Sequence, residues 1–374
     1  MLGKIFGAVL VLIISTTSPV CLTPIEISQE QFGVYDVSEG IIVYKAFDES
    51  GKIEVFTKNV DTNEEKKISK NGAKKWTPFI CNNYVLWTQR VGRNYEMVLY
   101  NMKSEETEVI AENTFNFSIR PALTDKWIVW IERKLEENDM LAYNLETKEK
   151  ISLIEDKTIM VGKPVVVGDN AFYVYSGKSD CEETERVFHL NSFNLMTGET
   201  ELVHTGLGSQ VNMHGQGDWV VWNEKIDMNS FKLFLYQISE KKTIQVETSD
   251  HLPIDLAMCG ETVVYIASTD SSEFSAIYML NVPDENPTPK VIYSSDSQKF
   301  FPECGDNVVL WHDIIEPGGR NKIKGIVIST GDVFSVSDSP KSQYLSFFKD
   351  GIIDWVEGQP EDGRVEKIYK LSVR

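Results

Sequence analysis

The chain has 374 residues, 42% of them hydrophobic, and a formal net charge of −19. A surface this acidic repels phosphate backbones and anionic headgroups, which excludes nucleic acid as a partner and argues against polybasic attachment to membranes. Much of the apolar content is Val, Ile, Tyr, Phe and Trp, the types that favour pleated, half-buried strands.

In chain order, the first feature is Lys4 followed by an apolar run from Ile5 to Ile14 and then Ser15, Thr16, Thr17 and Ser18. This is the charged region and apolar core of a secretory signal, and the run is short for a bilayer span. The sequence therefore reads as a signal peptide over 1–22 and a single domain over 23–374, with an extracellular, cell-surface or periplasmic location. A retained anchor and lipidation at Cys21 are the alternatives. Pro19 and Val20 stand where small residues would precede a lipidated cysteine.

From residue 41 onward, short apolar runs end in an aromatic at a near-constant period: IIVY, YVLW, WIVW, NAFY, WVVW, TVVY, VVLW and IIDW. Their last residues are Tyr44, Trp87, Trp130, Tyr173, Trp222, Tyr265, Trp311 and Trp355, spaced by 43 to 49 residues. Nine residues before the aromatic stands Pro78, Pro121, Pro164 or Pro302 in four of the units. Just before each run lies a turn rich in Gly, Asp and Asn, residues that tolerate the positive φ of tight hairpins. Some fifteen residues beyond the aromatic comes a further strand with a polar column, Asn59, Asn101, Asn144, Asn194, Gln237 and Asn281. That column is expected to satisfy backbone groups at the strand end. A polar turn and a last short strand complete each unit.

Four sequential strands of this kind make an antiparallel meander that cannot bury both faces alone. Radial stacking buries them, so the pattern predicts an all-β, eight-bladed β-propeller of four-stranded antiparallel blades, with seven blades plus an accessory sheet as the alternative. The repeated aromatics are expected to fill the wedges between blades. The eighth unit ends at its third strand, and the segment Pro24–Ser28 is free to supply the fourth and close the ring.

The pattern resembles the TolB-like and archaeal cell-surface β-propeller repeats. Pro121 to Trp130 followed by Tyr143-Asn144-Leu145, and Gly305 to Trp311, carry the likeness best. It extends over roughly residues 30–374. The resemblance implies a propeller at or outside the cell surface and no defined activity. The insertion between Ser176 and Arg186, the irregular Pro283–Pro289 loop and the lack of a larger companion domain depart from it.

For chemistry, no HExxH, GxSxG or P-loop motif is present, and the five histidines show no metal-binding spacing. No cofactor and no metal is expected. His214, His312 and Asp313 are the candidate binding residues, and the same three are the candidates for metal-assisted catalysis at the channel mouth. Glutamine or acid recurs two residues after the aromatic (Gln89, Glu132, Glu224, Asp313, Glu357), which favours a structural role for Asp313. Cys81 and Cys259 share one repeat position and Cys304 lies one residue further back, so they read as small residues at strand ends, in different blades and too far apart to bridge. The expected function is a non-enzymatic, monomeric binding or scaffold module for a surface or envelope protein or a glycan. Its candidate loops are 176–186, 134–139 and 316–320. The alternatives are a metal-assisted polysaccharide lyase or hydrolase and a TolB-like envelope assembly accessory.

Overall fold

A computed structural model describes residues 19–373 apart from 28–30, 114–120, 134–137, 155–158, 179–185, 207–210, 228–229, 249–252, 270–271, 283–286, 315–319 and 359–364. The regular elements among the described residues are all strands, in eight antiparallel sheets. The inner strands of blades 1 to 8 are Gln31–Ser38, Phe79–Cys81, Ala122–Leu123, Ile159–Val167, Val211–Gln216, Asp255–Cys259, Gln298–Gly305 and Gln343–Lys349. In blade 2 a further short strand, Lys74–Lys75, pairs with the same second strand beyond a break. Each inner strand lies beside the next, and that of blade 8 returns to blade 1, so the ring is closed with eight blades around a channel.

The hairpin turns predicted from Gly, Asn and Asp do adopt positive φ, for example Asn82 (φ 48°) and Asp350-Gly351 (φ 50° and 68°). The asparagines of the polar column cap the third strand in the first four blades. Asn144 Oδ1 accepts the backbone N–H groups of Glu146 and Thr147 at 2.9 Å each, and Asn194 Oδ1 those of Met196 and Thr197 at 3.0 and 2.9 Å. An Asx-type turn of this kind pairs two donors that the departing strand leaves open.

All eight repeated aromatics are buried, and each sits in the apolar layer between its own blade and the one before. Trp87 packs with Val43, Trp130 with Leu86 and Met97, Tyr173 with Val129, and Trp222 with Phe172. Tyr265 packs with Val221, Trp311 with Val264, Trp355 with Leu310, and Tyr44 with Ile352 of the last blade. A large ring on the second strand thus supplies the volume that a radial wedge demands. The residue two positions later serves that ring in two blades: Gln89 accepts the Trp87 indole N–H at 3.2 Å and Glu357 that of Trp355 at 3.3 Å.

Two expectations need correction. The closing strand is Val20–Pro24, paired antiparallel with Val365–Val373, so the ring is closed by the N-terminal strand as expected but in a segment shifted upstream. Among the described residues of the segment expected to pair, Pro24 lies opposite Tyr369 and the Ile25 N–H bonds the Ile368 carbonyl at 2.9 Å. Val20 and Leu22 carry the apolar side chains that cover the last blade, which places the strand upstream of Ile25. Second, Cys259 and Cys304 form a disulfide between blades 6 and 7, with Cα atoms 5.8 Å apart. The expectation that cysteines of different blades stand too far apart to bridge fails here because the two inner strands run side by side. Cys21 and Cys81 are free.

Candidate active site in the channel

Strand register sets which side chains stand level with one another around the axis. In every blade, one inner-strand residue pairs with the residue just before the repeated aromatic. These are Asp36, Phe79, Ala122, Val165, His214, Ala257, Glu303 and Phe347. Five of the eight are apolar. The three titratable exceptions, Asp36, His214 and Glu303, therefore stand at one height in blades 1, 5 and 7.

Each of the three is in a different electrostatic state. Asp36 bridges three blades, its carboxylate accepting the Ile80 N–H of blade 2 at 3.0 Å and an N–H of the Lys349 ammonium of blade 8 at 2.8 Å. His214 keeps open surface yet has protein on all sides, as a channel residue does. Desolvation, helped by the neighbouring Lys163 charge, pushes its pKa down from 6.5 to about 4, so the imidazole is neutral at pH 7. Glu303 is half-buried, and desolvation raises its carboxyl from 4.5 to about 7. No hydrogen bond or ion pair to the Glu303 carboxyl is found among the described residues. A strongly shifted, unpartnered carboxyl beside open space is what proton-transfer chemistry requires.

Glu303 opens into a depression of about 750 Å³ where the inner strands of blades 5 to 8 turn outwards. Gln216, Met258, Phe347, Lys349 and Asp350 also line it, and the Cys259–Cys304 disulfide forms part of its wall. Blades 6 and 7 are thus tied covalently beside Glu303.

The residues singled out from sequence do not assemble. His214 lies on the inner strand of blade 5, whereas His312 and Asp313 lie on the second strand of blade 7, on opposite faces of it. His312 Nε2 accepts the Leu345 N–H of blade 8 at 2.7 Å, and burial lowers its pKa from 6.5 to about 4. Asp313 is fully buried, accepting the Ser297 hydroxyl at 2.6 Å and pairing with Lys324 at 2.6 Å. Both serve packing. The candidate loops 134–139, 176–186 and 316–320 fall largely outside the described residues. Glu303 and Asp36 were missed, although a signal for them existed: at eight residues before each aromatic they and His214 are the titratable members of an apolar column.

No family model matches the sequence, and comparison with curated proteins gives no match. Solved structures do share the fold. A prolyl endopeptidase is 12% identical with a TM-score of 0.57, covering 89% of this chain, which spans 55% of that protein's length. The β-propeller domain of the Trilobed protease from Pyrococcus furiosus is 10% identical with a TM-score of 0.54, over 83% of this chain and 99% of that one. An oligogalacturonate lyase in complex with manganese is 10% identical with a TM-score of 0.52, over 96% of this chain and 92% of that one. The shared fold is a β-propeller, and the TolB-like and archaeal cell-surface subtype has no matching family model.

These neighbours overturn the expectation of a non-enzymatic binding or scaffold module. They are enzymes or domains of enzymes, and the lyase matches this chain almost end to end. The manganese of that lyase finds no fitting donor set among the described residues. Among the described residues no group of three or more His, Cys, Asp or Glu side chains is placed to hold a metal ion, and His312 is committed to a backbone N–H.

Proposed function

We propose that the chain is an exported enzyme that cleaves glycosidic bonds of an oligosaccharide by acid–base catalysis at the channel wall, with Glu303 as the proton donor. The observation that carries this reading is the unpartnered Glu303 carboxyl, shifted to about 7 at the edge of a 750 Å³ depression. Support also comes from the nearly full-length likeness to an oligogalacturonate lyase. The apolar N-terminal run and the Cys259–Cys304 bridge support export, since disulfides persist in oxidising compartments. The likeness of the repeat to TolB-like and archaeal cell-surface propellers supports the same location.

A carboxyl with this pKa holds its proton through much of the neutral range and can deliver it to the bridging oxygen as the glycosidic bond breaks. His214, neutral at the same height two blades away, can take up the proton removed on the other side. If that proton comes from water the reaction is hydrolysis. If it comes from a sugar carbon beside a carboxylate it is elimination.

The test is to offer the purified protein a panel of neutral and uronic-acid oligosaccharides. New reducing ends and the ultraviolet absorbance of an unsaturated sugar would be followed at several pH values. Cleavage should fall as pH rises through about 7, where Glu303 loses its proton. Glu303→Gln should lose on the order of a hundredfold or more, the usual range for a general acid. Turnover of peptides instead of saccharides, or a fully active Glu303→Gln enzyme, would sink the reading.

A further inference from the structure

One inner-strand residue breaks the rules that govern the others. Phe301 has φ +51°, a left-handed backbone that bulky aromatic residues rarely adopt. It lies in a bulge between the pairs Phe300–His312 and Glu303–Leu310, two residues along the strand from Glu303. Its side is also unusual, since 62% of the residue is solvent-exposed. The strand is flanked by the inner strands of blades 6 and 8 and by the second strand of its own blade, so the channel is the open side.

Contacts from two blades hold it there, and a third blade fixes one of them. Asp255 of blade 6 accepts the Phe301 N–H at 3.2 Å and so fixes the bulged backbone. The His312 ring of blade 7 stands edge-on to Phe301 with centroids 5.5 Å apart. That imidazole is itself locked by the Leu345 N–H of blade 8 and packs edge-on to Tyr344. Strained backbone and exposed apolar surface are both unfavourable for folding, and they persist where the surroundings over-determine them for a use. A flat ring presented to channel water next to a proton donor matches the apolar face of a pyranose.

We infer that Phe301 is a stacking platform that seats one sugar ring of the substrate in the channel, beside Glu303. The inference rests on the saccharide reading above and deepens it. His312 then acts as a positioning residue for the platform, which gives the sequence-singled histidine a role without direct contact with substrate.

Binding of a galacturonic acid hexamer and of cellohexaose would be measured by calorimetry on the Glu303→Gln protein, so that no ligand is consumed. Adding Phe301→Gly should weaken binding of the better ligand about tenfold or more. Phe301→Tyr should leave it within about threefold, because the ring is kept. Glycine is at home at positive φ, so Phe301→Gly should unfold at the same temperature as its parent or higher. Unchanged binding by Phe301→Gly, a marked loss of its stability, or the failure of both saccharides to bind the wild-type chain would each overturn the platform. Cleavage assays on the wild-type and Phe301→Gly proteins separate the two ideas. A chain that binds through Phe301 but cleaves nothing removes the Glu303 chemistry and leaves the platform standing.

Discussion

Burial moves His312 and Glu303 in opposite directions of pKa for one reason, the cost of charge away from water. His312 is neutral in the fold because its Nε2 lone pair accepts the Leu345 N–H, and a proton there would remove that acceptor. Its folded pKa of about 4 lies below the ordinary 6.5, so the unfolded chain binds more protons between those values. The stabilisation is therefore complete above about pH 6.5 and is lost as pH falls towards 4. A shift of this size in a buried group corresponds to about 3 kcal/mol. Denaturant melts of the wild type between pH 7 and 4 should show that decline, and His312→Gln, which has no such proton to take, should flatten it. Equal acid sensitivity in the two proteins would show that His312 does not titrate as placed. Asp313, its neighbour in sequence, answers to a different set of partners because successive residues of a strand face opposite sides.

At the level of strands, most of the architecture was legible because a repeated residue does the same local task in most blades. The aromatic column fills wedges, the Asn column caps third strands and the turn residues accept positive φ, all of which are short-range facts. The channel site is not local. Asp36, His214 and Glu303 lie 178 and 89 residues apart in the chain and share a level only through register, so no contiguous motif announces them. The Cys259–Cys304 bridge escaped for the same reason, since it depends on the spacing of neighbouring inner strands. Its 45-residue separation predicts a substantial effect, about 3 to 4 kcal/mol from the restricted unfolded chain. Cys304→Ser should therefore unfold several degrees lower than the parent. Peptide mapping without reductant should recover the Cys259 and Cys304 peptides linked. The bridge also adjoins Glu303, so the variant should lose part of its cleavage activity even well below its melting temperature. Free thiols at both positions in protein purified without reductant would remove this argument.

For the whole molecule, closure depends on one strand from each end of the chain. Val365–Val373 would be an open edge on blade 8 without Val20–Pro24, and Val20 and Leu22 also pack into the layer shared by blades 7 and 8. An open edge leaves a row of backbone donors and acceptors unpaired and offers a template for other chains. The position of any processing site then has a direct physical consequence. Removal of residues 1–22 leaves only Thr23 and Pro24 in the pairing register, whereas a chain beginning at Pro19 keeps all five pairs. Burial of the two lost apolar side chains is worth about 3 kcal/mol, so the shorter chain should melt a few degrees lower. It should also show faster hydrogen exchange in Val365–Val373, with the second strand Ile352–Glu357 largely unaffected, because the ring opens from its edge inwards. The comparison needs only two proteins that differ by residues 19–22. Identical melting and exchange in both would mean that the ring is held shut by side-chain packing between blades 8 and 1, the layer in which Tyr44 meets Ile352, without help from the N-terminal strand.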